Sequence, residues 1–337
     1  MSKIKVLSEK NIKELIDLQI AINADEEAYK QKSNHKGNVW PLVFYKYEHN
    51  VFDLDIRSGN LMDSNAYGLK IISYNENNPQ IGLSKVNATA LVCNDKTGEP
   101  LAILNAAPIT SYRTGAAAAI GAKYLARKDS KNLLIVGTGN IAKYSVAATL
   151  FLMASIENVY LYNPKRQINN EELLLFKDEV DVLLKESGKD TSAKFSLADD
   201  ISKITSISDI IITTTPSDKA IIDVDWVKPG THFSCMGACM TGKQEIDESI
   251  FEKAKSFADD QSQCLSQGEA QCAYNKKIIS NFDAEIGDVI LGKVEGRKSE
   301  EDITIFDSTG LFLQDLATSV ELIKKAHTNN IGIEIEL

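Results

Sequence analysis

Residues 132–142 read NLLIVGTGNIA. Leu133 through Val136 form a short continuous apolar run, the pattern of a parallel strand buried on both faces. Gly137-Thr138-Gly139-Asn140-Ile141-Ala142 follows as a GxGxxA turn and opens a helix predicted over about 140–154. The small residues have separate tasks. Gly137 permits the tight turn, Gly139 lets backbone approach a pyrophosphate, and Ala142 allows close helix–strand packing. The helix N-terminus adds N–H donors and the positive end of a dipole. Strand, glycine turn and helix in that order predict a dinucleotide-binding unit.

The alternation continues downstream. NVYLYN (158–163) predicts a second strand, residues 169–187 a long helix, and DIIITTT (209–215) a third strand. THFSCMG (231–237) and SFADD (256–260) extend the series. Strands alternating with helices specify a doubly wound parallel sheet. Upstream the pattern differs. Residues 8–34 read as one helix capped by Ser8, and residues 41–57 as a half-buried strand pair. Residues 66–75, 86–93 and 100–105 read as strands, with NDKTG (94–98) a turn between the last two. An Ala-rich helix is predicted at 110–127 and a last helix at about 311–327. The fold class is therefore α/β: a Rossmann doubly wound parallel sheet plus an α+β domain with an antiparallel sheet.

Composition bounds the function. The chain has 337 residues, 37 Lys+Arg against 47 Asp+Glu, and a formal net charge of −10. That length suggests about two domains, and 43% hydrophobic with 25% charged residues is the balance of a globular chain. An acidic chain lacks the basic stripe a nucleic acid needs, and no run of about 18 apolar residues predicts a membrane helix. Five cysteines without a CxxC suit neither a disulfide scaffold nor a structural zinc site, so a cytoplasmic protein with reduced thiols and no metal is expected. The histidines, His35, His49, His232 and His327, show no ligand spacing; His232, near a strand end, is kept as a pocket candidate. Asp259, Asp260 and Glu269 read as a solvated acidic face.

Cofactor choice is read at the end of the second strand. An acidic residue there would hold a ribose 2′-hydroxyl. Here the sequence is Asn163-Pro164-Lys165-Arg166. Two cations and no carboxylate suit a 2′-phosphate, so NADP(H) is favoured over NAD(H); a solvated basic turn is the other reading. Thr213-Thr214-Thr215-Pro216-Ser217 ends the third strand, where hydroxyls and backbone face the ligand crevice of such sheets, or cap a loop.

Several segments in order along the chain carry a resemblance: GLKIISYNENNP (68–79), NDKTGEPLAIL (94–104), ITSYRTGAAAA (109–119), YLARKDS (124–130), GTGNIA (137–142), KPGTHFSCMGA (228–238), EIGDVILGKVEGR (285–297) and FDSTG (306–310). Together they resemble the ornithine cyclodeaminase/mu-crystallin family. The resemblance implies a homodimer with a substrate and dimerisation domain from residues 1–120 and 311–337 and a Rossmann domain over 121–310. It implies hydride transfer between a nicotinamide and the carbon of an amine or imine beside a carboxylate. The partner would be a small amino-acid or imino-acid substrate, with no nucleic acid and no membrane. A cyclodeaminase-type lyase using catalytic NAD, and a non-catalytic crystallin-like binder of NADPH, are the alternatives.

Site residues transfer position by position. Lys70 matches the family lysine that contacts substrate, and Arg113 the arginine that grips the carboxylate. Thr114 joins residues 137–142, Asn163, Lys165, Arg166, Thr214, Thr215 and Ser217 as cofactor-binding. Asp307 is a proton or amine partner, or one of an N-capping series with Ser308 and Thr309 for the last helix. Two departures stand out. The arginine expected after Pro41-Leu42 is Val43, and Arg57 is placed to replace it or to lie in an exposed turn. The general acid/base Asp of cyclodeaminases is Cys239, whose thiol has an ordinary pKa near 8.5 against about 3.9 for Asp. Cys239 is read as packing or pocket lining; the other reading, a nucleophile, lacks an evident His partner.

Overall fold

A computed structural model describes residues 3–48 and 51–336; His49 lies outside them. The chain begins with β1 (Lys3–Leu7), α1 (Glu9–Leu15), α2 (Leu18–Ser33), β2 (Gly37–Val39), β3 (Val43–Glu48), β4 (Phe52–Leu61), β5 (Ala66–Asn75), β6 (Val86–Asn94), β7 (Pro100–Asn105) and α3 (Ala107–Leu125). The alternating part follows as β8 (Asn132–Val136), α4 (Asn140–Leu152), β9 (Asn158–Tyr162), α5 (Asn170–Glu186), β10 (Lys194–Leu197), α6 (Ile201–Ile207), β11 (Ile210–Thr213), β12 (Asp218–Ile222), β13 (His232–Cys235) and β14 (Gln244–Ile246). It ends with α7 (Ile250–Lys253), β15 (Ala254–Ala258), α8 (Gln261–Gln267), α9 (Gln271–Asn275), β16 (Ala284–Glu285), α10 (Ile286–Ile290) and β17 (Ile303–Asp307). Two final elements are α11 (Phe312–Thr328) and β18 (Ile333–Glu336). The chain divides into two compact units, Met1–Arg113 with Leu311–Leu337, and Thr114–Gly310.

The first unit is a mixed sheet in the order β18-β1-β7-β6-β5-β4-β2, with β3 also paired to β4. All pairs are antiparallel except β1 with β7. The predicted single helix over 8–34 is two. Ile16 is extended, and the Asp17 carboxylate caps α2 by accepting the Ile20 N–H at 2.7 Å. A short polar side chain that can cap a new helix ends the old one. α11 lies against α2 and the strands β4 and β5, and its buried face runs from Phe312 to Ala326. β1 and β18, terminal strands with interleaved charges, went unpredicted.

The second unit is an all-parallel sheet in the order β10-β9-β8-β11-β13-β17-β15-β16. Leu133–Val136 of β8 and Ile210–Ile212 of β11 are wholly buried, as central parallel strands should be. The core joins Leu134, Val136, Ile211, Phe233 and Ile305 from four adjacent strands. Strand order reverses between β8 and β11, which sets the ligand crevice of this architecture outside their carboxyl ends. α3 passes close to β17: a Cβ on Gly121 would stand 2.5 Å from the Phe306 ring, and the Ser234 hydroxyl donates to Ala118 O.

Candidate functional site

In the second unit, the turn after β8 passes through Gly137 at φ 103°. A side chain is strained there, and a Cβ would stand 2.7 Å from Thr214 Oγ1. The Gly137 N–H donates to Tyr162 O, and Thr214 donates to Val136 O, so the turn is fixed from both neighbouring strands. Gly139 is the N-cap of α4 and supplies no side-chain cap. A Cβ on Gly139 would meet nothing within 4 Å, and the first turn of α4 carries no acidic residue. A helix N-terminus without a side-chain cap, an open glycine beside it and no competing carboxylate fit the pyrophosphate of a dinucleotide. Thr138, Asn140 and Ile141 complete this surface, and Ala142 is buried beneath it.

The end of β9 forms the next part. Asn163 donates to Thr138 Oγ1 at 2.9 Å and accepts the Lys165 N–H, which orders the loop on the glycine turn. Tyr162, Asn163, Lys165, Arg166, Leu197 and Asp199 line a cavity of about 540 Å³. Lys165 and Arg166 are exposed, and Arg166 is paired with Glu172 at 2.6 Å.

The threonines after β11 face inward more than the sequence suggests. Thr213 and Thr215 both donate their hydroxyls, at 2.7 Å, to the buried Glu245 carboxylate, which also accepts the Gly237 N–H. The Ser217 hydroxyl donates to Lys219 O. Thr114 is buried in α3, and Cys239 lies half-buried in the loop after β13. Glu245, whose carboxyl is pushed up by burial, thus fastens this crevice wall; the GKQE segment was its signal.

Two expectations need correction. His232 starts β13, at the amino end of the parallel sheet and away from its ligand edge. It is wholly buried between Thr304 Oγ1 and Ser234 Oγ, and burial holds its ring well below the usual imidazole range. Asp259 and Glu269 are buried, not solvated. Asp259 accepts from Ser308 Oγ and the Gly310 N–H, and Glu269 from the N–H groups of Glu245 and Ile246. Of the predicted face, Asp260 caps α8. Asp307 ends β17 at the ligand edge, but its carboxyl is wholly buried and accepts the Ala270 N–H at 2.9 Å. Burial pushes it up to about 8 despite that hydrogen bond, with the neighbouring Asp259 adding to the rise.

The first unit holds a cluster of cations. Arg57 on β4 stands directly opposite Lys70 on β5, so both side chains lie on one face of the sheet. Lys70 is wholly buried, and its ammonium donates to Asp315 Oδ1 at 2.8 Å and Thr110 Oγ1 at 3.1 Å. Arg113 Nε lies 3.4 Å from Asp315 Oδ2. Arg57 donates to Asp55 Oδ2 at 3.1 Å, so it is oriented rather than an exposed turn residue. Burial lowers Lys70 to about 8, Asp315 opposing the fall and Arg113 and Arg57 adding to it. Burial works to raise Asp315, but Lys70 and Arg113 outweigh it and keep the carboxyl below its ordinary value. The sequence reading missed Asp315. Its signal is a carboxylate inside FLQDLATSVELI, an otherwise apolar helix face. Among the described residues no helix is long and apolar enough to cross a membrane.

The sequence profile of the ornithine cyclodeaminase/mu-crystallin family matches residues 2–330. The alanine dehydrogenase of Archaeoglobus fulgidus is 36% identical over 333 residues, 98% of each chain. A solved archaeal alanine dehydrogenase dimer with bound NAD superposes with a TM-score of 0.87 at 33% identity, over 100% of both chains. The Δ1-pyrroline-2-carboxylate reductase of Thermococcus litoralis, solved with NADH and L-proline, gives 0.88 at 28% identity, over 98% of this chain and 100% of that one.

Proposed function

The chain belongs to the ornithine cyclodeaminase/mu-crystallin family, and from that premise we propose that it is an NAD(P)H-dependent oxidoreductase acting on the C–N bond of a small amino acid or its imine. One observation carries the reading. A single chain holds both the glycine cradle at 137–142 and a buried set of two cations, Lys70 and Arg113, against one carboxylate, Asp315. That set has one positive charge in excess, the complement of a substrate carboxylate.

Arg113 grips the carboxylate, because a guanidinium stays charged and can hold both oxygens. Arg57, fixed beside Lys70, supplies a second guanidinium in place of the one Val43 lacks. Lys70, lowered to about 8, exchanges a proton with the substrate nitrogen near neutral pH. A bound nicotinamide exchanges a hydride with the carbon bearing that nitrogen. The backbone of Gly137 to Ile141 holds the pyrophosphate, and Asn163, Lys165 and Arg166 favour a ribose 2′-phosphate, hence NADP(H). Asp307, neutral at pH 7 and bonded to Ala270, holds the α8–α9 segment rather than meeting substrate. A homodimer in the cytoplasm completes the proposal.

The test is NADPH and NADH oxidation with pyruvate plus ammonia and with Δ1-pyrroline-2-carboxylate. Net turnover is expected, and Arg113→Ala should lower kcat/KM more than tenfold, about 1.4 kcal/mol. Ammonia release from ornithine with no net change in NADH, or a smaller effect of Arg113→Ala, would overturn the reaction or the residue assignment respectively.

A further inference from the structure

The cation cluster raises a question that substrate binding leaves open. Lys70 and Arg113 come from β5 and α3, carry like charges and are both buried. Unscreened, they would repel each other. Asp315 meets both: Oδ1 takes the Lys70 ammonium at 2.8 Å, and Oδ2 lies 3.4 Å from Arg113 Nε. Asp315 sits in the first turn of the 17-residue α11, where the helix dipole also favours a carboxylate. The Thr110 hydroxyl stands 3.1 Å from the Lys70 ammonium, donates to Ala106 O and fixes Lys70 from α3.

We infer that Asp315 is a positioning residue: one carboxylate at the start of the last helix spaces Lys70 and Arg113 so that Arg113 meets the substrate carboxylate and Lys70 the nitrogen beside it. The inference rests on the substrate roles proposed above for those two residues. It also sets when Lys70 holds its proton. The charged groups facing Lys70 are Asp315 on α11, Arg113 on α3 and Arg57 on β4; its β6 neighbour, Ala90, is apolar. Of these charged groups Asp315 alone favours the ammonium; the Thr110 hydroxyl, accepting from it at 3.1 Å, adds to that, and Asp55 is engaged by Arg57.

Asp315→Asn keeps the shape and removes the charge. Lys70 should then lose its proton at least one pH unit lower, read by NMR of lysine labelled with ¹³C at Cε and assigned with Lys70→Met. The corresponding limb of the kcat/KM–pH profile should move with it, and KM should rise at least tenfold. A merely structural role would lower thermal stability and leave both titrations in place, and that result would overturn the inference. If Asp315→Asn does not fold, Asp315→Glu decides. With the charge kept, Lys70 should titrate within one pH unit of the native chain and KM should stay within tenfold; larger changes in both would refute the inference. The NMR titration needs no substrate. Absence of turnover in the native chain therefore sinks the proposed function, whereas an unmoved Lys70 titration sinks the role of Asp315.

Discussion

Replacing Asp307 by Asn separates a proton carrier from a structural acid. Asp307 is wholly buried, accepts the Ala270 N–H through Oδ2 and has no hydrogen-bond partner at Oδ1. Its carboxyl keeps a proton to about 8, against an ordinary value of 3.8. The sign follows directly. Between these values the folded chain binds a proton that the unfolded chain has released, so stability falls as pH rises from about 4 to 8. At about 1.36 kcal/mol per pH unit the ceiling is about 5–6 kcal/mol, of which about 4 falls between pH 5 and 8. Local relaxation reduces this, and roughly 2–4 kcal/mol is expected. The Asn side chain keeps the shape and an acceptor for Ala270, and does not titrate. The gain of Asp307→Asn over the native chain should therefore grow from pH 5 to pH 8 by roughly 4–16 °C in Tm, at about 2–4 °C per kcal/mol for a unit the size of Thr114–Gly310. Paired thermal melts at half-unit pH steps read it, and acids that do not interact with Asp307 cancel in the comparison. Activity at pH 7 should stay within tenfold. Parallel melting curves would refute the buried-proton argument. A hundredfold loss of kcat with unchanged KM would return Asp307 to the reacting atoms.

Two further predictions concern the nucleotide. Gly137→Ala forces a Cβ to within 2.7 Å of Thr214 Oγ1 on a backbone at φ 103°, so the Kd for NADPH by fluorescence titration should rise at least tenfold, about 1.4 kcal/mol; a change under threefold would count against the cradle. Asn163→Asp keeps the contact with Thr138, whose hydroxyl can donate to the new carboxylate, and places a negative charge near the ribose. The ratio of kcat/KM for NADPH to that for NADH should fall at least tenfold, and an unmoved ratio would remove the argument from that strand end.

The α/β architecture was legible because its signals are local. The run at 132–136 is apolar without alternation, which only a strand covered on both faces needs, and the glycine spacing behind it fixes turn and helix together. What was missed has weak local signals. β1 (KIKVL) and β18 (IEIE) carry charges at alternate positions, and their pairing with each other and with β7 depends on partners far along the chain. The break between α1 and α2 was present in the sequence at Asp17. A continuous apolar stripe from Ile12 to Ile22 outweighed it in the reading, because periodicity does not register a capping hydrogen bond.

The site shows the same limit more sharply. Lys70 and Arg113 were named through a resemblance; nothing in their immediate surroundings marks either as more than a surface charge. What makes them chemically distinctive is burial beside Asp315, which lies 245 residues from Lys70. Each of the three would be costly alone in that environment, since an isolated buried charge loses several kcal/mol of hydration. Counted by themselves, these three carry one positive charge in excess. A protein has little physical reason to keep such an excess in its interior unless a ligand supplies the missing anion. The asymmetry of two cations against one carboxylate therefore bears on function more than any single residue of the three does. A sequence reader can look for it as a lone acidic residue on an apolar helix face, paired in number with buried basic residues on strands.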